Sequence, residues 1–292
     1  MHWQGREAVK AVVETPREPY ETIRVTPLSP VIGAEIDGVD LSRDLSNRQF
    51  AEIRRALLDH LVIVFRDQTL SAEDHKRFGH RFGRLHVHPL QAMKEGDHER
   101  LEVKADKDSK TVAGETWHCD VTCDAEPPMG SLLYLTETPD IGCGGDTLFA
   151  NMYLAYEMLS SPMKAFLEPL TAIHDGAIPW VQGYGYRPNE TFQKNEHPVV
   201  VRHRETGRKL LYVNRGFTSH IRQLARFESN GLLELLFRHI ETQPALTCRV
   251  RWTPNTLVFW DNRCTQHQAI WDYYPMDRGG YRVSIVGERP TA

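Results

Sequence analysis

From residue 129 to residue 286 the chain breaks into eight short β-prone runs, and that rhythm limits the fold more than any other feature. The runs fall at 129–136, 146–150, 170–174, 199–203, 209–213, 247–252, 256–260 and 281–286. Helical patterns interrupt them at about 153–159, 162–167 and 225–242. Many short strands with a few flanking helices predict a mainly β protein, a sandwich or jelly roll.

The first part of the chain adds helices to this sheet. Residues 22–37 alternate apolar and polar side chains and read as a strand pair, with a turn within 32–38 that separates it from the next segment. Ser46-Asn47-Arg48-Gln49 has the capping-box pattern and opens a helix to about His60, with Phe50, Ile53, Leu57 and Leu58 on one face. The apolar run 61–65 has the length and composition of a central strand, far short of the roughly 20 residues that cross a bilayer. Ser71, with Asp74 three residues on, caps a second helix to about Phe82. Residues 1–22 lack a signal-peptide apolar core and read as a polar extension, so a single domain is expected over 23–290. The stretch 175–197, rich in Gly, Pro, Tyr and Asn, is long for a connection and is a candidate lid.

Composition narrows the partners. The chain has 292 residues, 40% hydrophobic and 25% charged, with a net charge of −4, and its Lys and Arg are scattered. That balance offers no basic footprint for nucleic acid and no membrane segment, so a small-molecule partner is expected. The five cysteines are odd in number and irregular in spacing, and Cys119-x-x-x-Cys123 has no second pair to complete a zinc site. They read as reduced thiols of a cytoplasmic protein.

One spacing carries chemistry. Trp117-His118-Cys119-Asp120 holds a His-x-Asp pair, and in an extended segment residues i and i+2 share a face. An imidazole and a carboxylate on one face, joined by a second His, form a 2-His-1-carboxylate set that leaves Fe(II) positions open for a 2-oxo acid and O2. With 14 histidines such a pair also arises by chance, and His203-x-Glu205 and His239-x-Glu241 are decoys. His203 adjoins a predicted hairpin turn, where side chains are normally solvated. His239 lies near a helix end, where i and i+2 do not share a face. For the second ligand the choice is His267, in the short polar segment after the apolar run 256–260, which would place its ring at a barrel mouth. The far carboxylate of a dicarboxylate cosubstrate asks for a planar, permanently charged fork. Arg278 lies 11 residues after His267 and Arg282 four further on, and Thr147 offers a hydroxyl in Gly144-Gly145-Asp146-Thr147. Taken alone, Arg278 also suits a surface position, and the Gly-Gly-Asp-Thr run a plain turn.

At these residues the chain resembles the taurine dioxygenase family, which includes the 2,4-dichlorophenoxyacetate, aryloxypropionate and alkylsulfate dioxygenases. The carrying motifs are WHCDVT (117–122), GGDTLFANM (144–152), VRWTPNTLVFWDNRCTQH (250–267) and YYPMDRGGYRVSIVGERP (273–290). Fainter matches are LSPVIGAEIDGVDLS (28–42), VIVFRDQTLS (62–71), FGRLHVHP (82–89) and HPVVVRHRETGRKLLYVNRGFTSHI (197–221). They run in family order over residues 23–290. The resemblance implies a double-stranded β-helix of cupin-like jelly-roll type. It implies Fe(II) on His118, Asp120 and His267, 2-oxoglutarate on Thr147 and Arg278, and O2 as oxidant. It further implies that His88 and Arg282 face an anionic group of the substrate, with Phe217 as a pocket wall, and that the enzyme is a homo-oligomer, a dimer or tetramer.

The sequence also departs from the taurine pattern. Leu90-Gln91 stands where the taurine enzymes carry an aromatic hydroxyl, Gly114 stands where a substrate-binding amide is expected, and 175–197 does not match the taurine lid. Gln91 is therefore a candidate substrate contact. These changes weaken the case for taurine itself and leave a larger sulfonate, an alkylsulfate, or an aryloxy or other carboxylate as substrate classes. Two rival readings use the same ligand set: a non-catalytic cupin-like binding protein and a zinc hydrolase.

Overall fold

Helix α1 (Trp3–Glu14) opens the chain where the sequence predicts a polar extension. Its Ala8, Val9 and Val12 share one helical face and pack against the core, so this segment is docked rather than free. The computed structural model describes residues 3–87, 96–112, 114–184 and 191–292.

The antiparallel pair β1 (Arg24–Pro27) and β2 (Ala34–Asp37) follows. The Ser46 hydroxyl then accepts the Gln49 amide and starts α2 (Asn47–His60), which ends at Leu61 in a left-handed conformation with φ 66°. Strand β3 (Val62–Phe65) is next. Ser71 and Asp74 form a full capping box at the start of α3 (Ala72–His80). The elements that follow are β4 (Leu85–His86), β5 (Arg100–Ala105), β6 (Gly130–Glu137), β7 (Thr147–Asn151), α4 (Met152–Glu157), α5 (Ser161–Leu167) and β8 (Thr171–Asp175). Then come α6 (Ala177–Tyr184), β9 (Lys194–Pro198), β10 (Val200–Arg202), β11 (Lys209–Leu211), β12 (Thr218–Ile221) and α7 (Arg226–Glu241). The chain closes with β13 (Thr247–Val250), β14 (Thr256–Asp261), β15 (Thr265–Ala269) and β16 (Arg278–Ile285).

The large sheet has the order β1-β2-β3-β14-β6-β16-β4, with β5 also paired to β16. A smaller sheet, β13-β7-β15, lies across from it, and β12-β8-β9 and β10-β11 make two more. Alternation along the strands explains why the large sheet reads as continuous apolar runs. Ile63, Phe65, Leu132, Tyr134, Leu257, Phe259, Val283 and Ile285 pack with Ile53, Ala56, Leu57 and Phe78 of α2 and α3. Their neighbours Val62, Val64, Leu133, Leu135, Val258 and Trp260 pack with Phe149 and Ala150 of β7 and Val250 of β13. Both faces are covered. On β16 the helix side takes Val283 and Ile285, which turns Arg282 and Ser284 toward the space between the sheets.

The strands that sequence pattern misses are polar. β15 (TQHQA) has no apolar alternation, yet Thr265, Gln266 and His267 are buried. β5 (RLEVKA) is mostly half-exposed and carries charges. Within the candidate lid, α6 and β9 are regular elements, and residues 185–190 lie outside those described. Among the described residues no helix is long and apolar enough to cross a membrane.

Buried histidines make the fold acid-sensitive. Burial, with Arg17 nearby, lowers His60 from 6.5 to about 4. Burial also takes His75 and His174 down to about 3, helped by Arg100 and His197 respectively. Each binds a proton in the unfolded chain first, so stability is full above the unfolded value of 6.5 and is lost as pH falls toward 4. Urea midpoints should fall steadily between those limits, before ordinary carboxylates titrate. A midpoint flat to pH 4.5 would contradict the burial of these rings.

Candidate metal centre

The centre is built from one cross-sheet bridge. The His118 amide donates to the His267 carbonyl at 3.1 Å, and the His267 amide returns to the His118 carbonyl at 2.8 Å. Directly opposed antiparallel residues project to the same side, and the two imidazole centroids stand 4.1 Å apart. Asp120, two residues on, keeps that side, with Oδ1 3.7 Å from His118 Nε2. One donor atom from each of His118, Asp120 and His267 lies within 4.8 Å of the others. The bridge is isolated rather than part of a strand at 118, and His267 lies inside β15 rather than in the polar connection expected from sequence.

The protonation states suit a divalent cation. His118 Nδ1 lies 2.7 Å from the Thr116 carbonyl, an arrangement that places the proton on Nδ1 and a lone pair on Nε2. Burial, and the neighbouring His118, hold His267 well below the usual imidazole range, so the ring is neutral. Burial alone would push Asp120 up, but Arg282, helped by the neighbouring His118, outweighs it and holds the carboxyl well below its ordinary range. Ser131 Oγ donates to Asp120 Oδ2 at 2.9 Å and is itself 2.9 Å from Ser284 Oγ. Arg282 Nη1 donates to Asp120 Oδ1 at 2.6 Å. His267 Nδ1 and Arg282 Nε are buried without hydrogen-bond partners.

Two glycines grip the His118 ring. A Cβ at Gly216 would lie 2.7 Å from His118 Cβ, and one at Gly114, whose φ is +88°, would lie 3.1 Å from His118 Cε1. The Gly216 amide also donates to the Trp117 carbonyl at 3.2 Å. Gly216→Ala should therefore displace the ring and weaken Mn(II) binding by about 10-fold or more. Gly231→Ala, in helix α7 with open space around it, is the matched control. Equal Mn(II) affinity in both variants would show that the loop yields without moving His118.

A second cluster lies beside the first. Arg278, 5% exposed, donates from Nε to the Gly145 carbonyl at 2.9 Å and from Nη2 to Thr147 Oγ1 at 3.3 Å. Trp252 Nε1 donates to the same hydroxyl at 3.0 Å, and the guanidinium sits 5.4 Å from the Trp252 ring centroid. Among the described residues Arg278 makes no ion pair. A buried guanidinium with only neutral acceptors is a receptor for an incoming carboxylate.

The remaining sequence candidates divide. The Phe217 ring is 6.4 Å from the His118 ring, half-buried beside the centre. His88 and Gln91 lie outside the described residues. His203, expected in a solvated turn, is instead buried: it accepts the amides of Glu205 and Thr206 at Nδ1 and faces Asp261 Oδ2 at 3.1 Å from Nε2. His203, Asp261 and Cys264 could by spacing hold a metal. Both His203 nitrogens are already satisfied, however, and Arg263 occupies both Asp261 oxygens. His239 caps the Ala155 carbonyl. Sequence reasoning did not find Ser131, Ser284 or Trp252 as site residues, because each is an ordinary strand or core residue until the sheets are paired. The five cysteines are free, as expected.

The profile of the taurine catabolism dioxygenase TauD, TfdA family matches residues 24–284. This chain belongs to that family. It is 33% identical over 290 residues to the alpha-ketoglutarate-dependent sulfonate dioxygenase of Saccharomyces cerevisiae, covering 94% of this chain and 69% of that protein. It is 32% identical over 282 residues to the alpha-ketoglutarate-dependent sulfate ester dioxygenase of Pseudomonas putida, covering 91% and 90%. The crystal structure of a taurine dioxygenase from Burkholderia xenovorans matches with a TM-score of 0.80 at 37% identity, covering 93% of each chain. As a TauD/TfdA member the protein is a non-haem iron dioxygenase that uses Fe(II), 2-oxoglutarate (alpha-ketoglutarate) and O2. The neutral His267 ring with its orphaned nitrogen, the ionised carboxylate and the His118 ring opposite fit that metal.

Proposed function

We propose that this enzyme hydroxylates a C–H of a small anionic substrate, a sulfonate, sulfate ester or aryloxyalkanoate, with His118, Asp120 and His267 as iron ligands. The observation that carries this reading is the convergence of two imidazoles and one ionised carboxylate beside the buried Arg278 and the half-buried Arg282. When bound, Fe(II) with 2-oxoglutarate and O2 would supply the oxidising chemistry, one oxygen atom going to succinate as CO2 leaves and the other to the substrate carbon. The protein's part is positioning and exclusion of water. Arg278 and Thr147 would hold the distal carboxylate of 2-oxoglutarate. Arg282, with its side chain 13% exposed and its Nε unpartnered, would meet the anionic end of the substrate. Phe217 would wall the pocket. By resemblance, His88 and Gln91 would add further substrate contacts. The names of the yeast and Pseudomonas relatives support a sulfonate or sulfate ester. If the substrate's hydroxylated carbon bears a heteroatom, the product can collapse to an aldehyde or ketone and release the anion.

The proposal includes a double-stranded β-helix formed by the large sheet and β13-β7-β15, in a single domain over 23–290. It includes a lid at 175–197, supported by the Asn195 amide donating to the Cys123 carbonyl at 2.6 Å, in the turn that follows Asp120. It also includes a cytoplasmic homo-oligomer, which light scattering and cell fractionation check; the free cysteines suit a reducing compartment. The deciding experiment is succinate release with Fe(II), ascorbate and panels of sulfonates, alkylsulfates and aryloxyalkanoates. Stimulation by one class is the expected result. Anionic compounds that fail to stimulate while neutral ones do would remove Arg282 from substrate binding.

A further inference from the structure

Val121 follows the carboxylate of the centre and has φ 49°, in the left-handed region. A β-branched residue there is a true outlier, because its Cβ crowds the backbone. Such strain persists only where the surroundings over-determine it. Val121 is 5% exposed and starts the turn in which the Asp124 amide donates to its carbonyl at 3.0 Å.

Asn195 and His197 hold the carbonyls of residues 122–124 within the turn, and one further side chain holds its Asp120 end. Past the His118–His267 bridge, Asp120 has no backbone partner across the gap among the described residues. The Asn262 amide takes that place. Its Oδ1 accepts the Asp120 N–H at 2.7 Å, and its Nδ2 donates to the Asp120 carbonyl at 3.0 Å. Nδ2 also reaches the Pro128 carbonyl at 3.0 Å, beyond the turn. Asn262 is fully buried at the end of β14, and its own amide donates to the Met129 carbonyl at 3.0 Å. The side chain thus copies both hydrogen bonds of a strand neighbour and pins the two ends of the strained turn.

We propose that Asn262 is a positioning residue for the metal: it holds the left-handed turn at Val121 and so aims the Asp120 carboxylate at His118 and His267. The inference rests on Asp120 being a ligand. Without the clamp, Val121 relaxes toward an ordinary conformation and swings the carboxylate away. Glycine at 121 adopts positive φ freely, so it should keep the turn without the clamp. A residue that merely packs β14 against Pro128 gives no such rescue.

The test is Mn(II) affinity of the full chain, read by loss of the free-ion EPR signal, with folding checked by circular dichroism. Asn262→Ala should bind Mn(II) about 10-fold more weakly or worse. Adding Val121→Gly to it should restore at least about threefold of that loss. If Asn262→Ala does not fold, Asn262→Ser is read the same way. Wild-type affinity in the single variant overturns the proposal. So does a weakened single variant that Val121→Gly leaves weak. Asp120→Asn is measured alongside: wild-type binding there would defeat the ligand assignment itself, whereas loss there with an unaffected Asn262→Ala defeats only the clamp.

Discussion

Asp120→Asn is expected to leave a folded protein whose Mn(II) affinity falls by at least about 100-fold, beyond the range typical of losing a residue that merely supports a ligand. Succinate release should vanish with it. The amide keeps the shape of the carboxylate: its one oxygen can stay with Arg282, while its NH2 donates to Ser131 Oγ, which can turn its own hydrogen to Ser284. What it loses is the charge. That charge is held ionised in a buried site by Arg282, with His118 beside it, against the cost of burial. Asp120→Ala is the poorer test, because it also strands Arg282 without its partner, and an uncompensated buried charge is itself strongly destabilising. The assignment fails if Asp120→Asn titrates Mn(II) like the wild type. The zinc-hydrolase rival makes the opposite demand, activity without O2 or 2-oxoglutarate, and membership of the dioxygenase family already argues against it.

Arg278→Ala should raise the apparent KM for 2-oxoglutarate at least about 10-fold, since a hydrogen bond to a charged partner contributes about 1.5–3 kcal/mol. Mn(II) affinity should stay within about threefold of wild type, because Arg278 touches Gly145 and Thr147 and no proposed ligand. The split between the two readouts is the point. A metal site that collapsed would lose both. An unchanged KM would move the cosubstrate carboxylate to another cation. Arg278→Lys should rescue poorly, because a single ammonium cannot keep the Gly145 and Thr147 contacts and also present a planar fork.

Much of the frame was legible in the chain. The Ser46 and Ser71 caps were readable because capping is a contact between residues three apart, which sequence spacing encodes directly. The apolar runs 61–65 and 256–260 were readable because β3 and β14 are covered on both faces and admit little else. β15 was not readable: its Thr-Gln-His-Gln-Ala sequence is polar, and only pairing with β7 makes it a strand. The docking of α1 was hidden for a related reason, since three small apolar residues in a polar helix acquire a partner only when the core is assembled. His203 was misjudged because a turn residue is normally solvated, whereas here Asp261 and two turn amides enclose it.

The sequence by itself determined the chemical kinds at the centre: a His-x-Asp pair, a distant His, and two arginines four residues apart whose motifs match one family. Residue type and order along the chain are enough for that, because ligand chemistry resides in individual side chains. Only the tertiary structure decided the protonation states, the grip of Gly114 and Gly216 on His118, the place of Ser131 and Asn262 around Asp120, and the burial that leaves Arg278 open to a carboxylate. Those depend on contacts between segments far apart in the chain, 142 residues for Asp120 and Asn262 and 162 for Asp120 and Arg282, and desolvation exists only once the sheets have closed over the site.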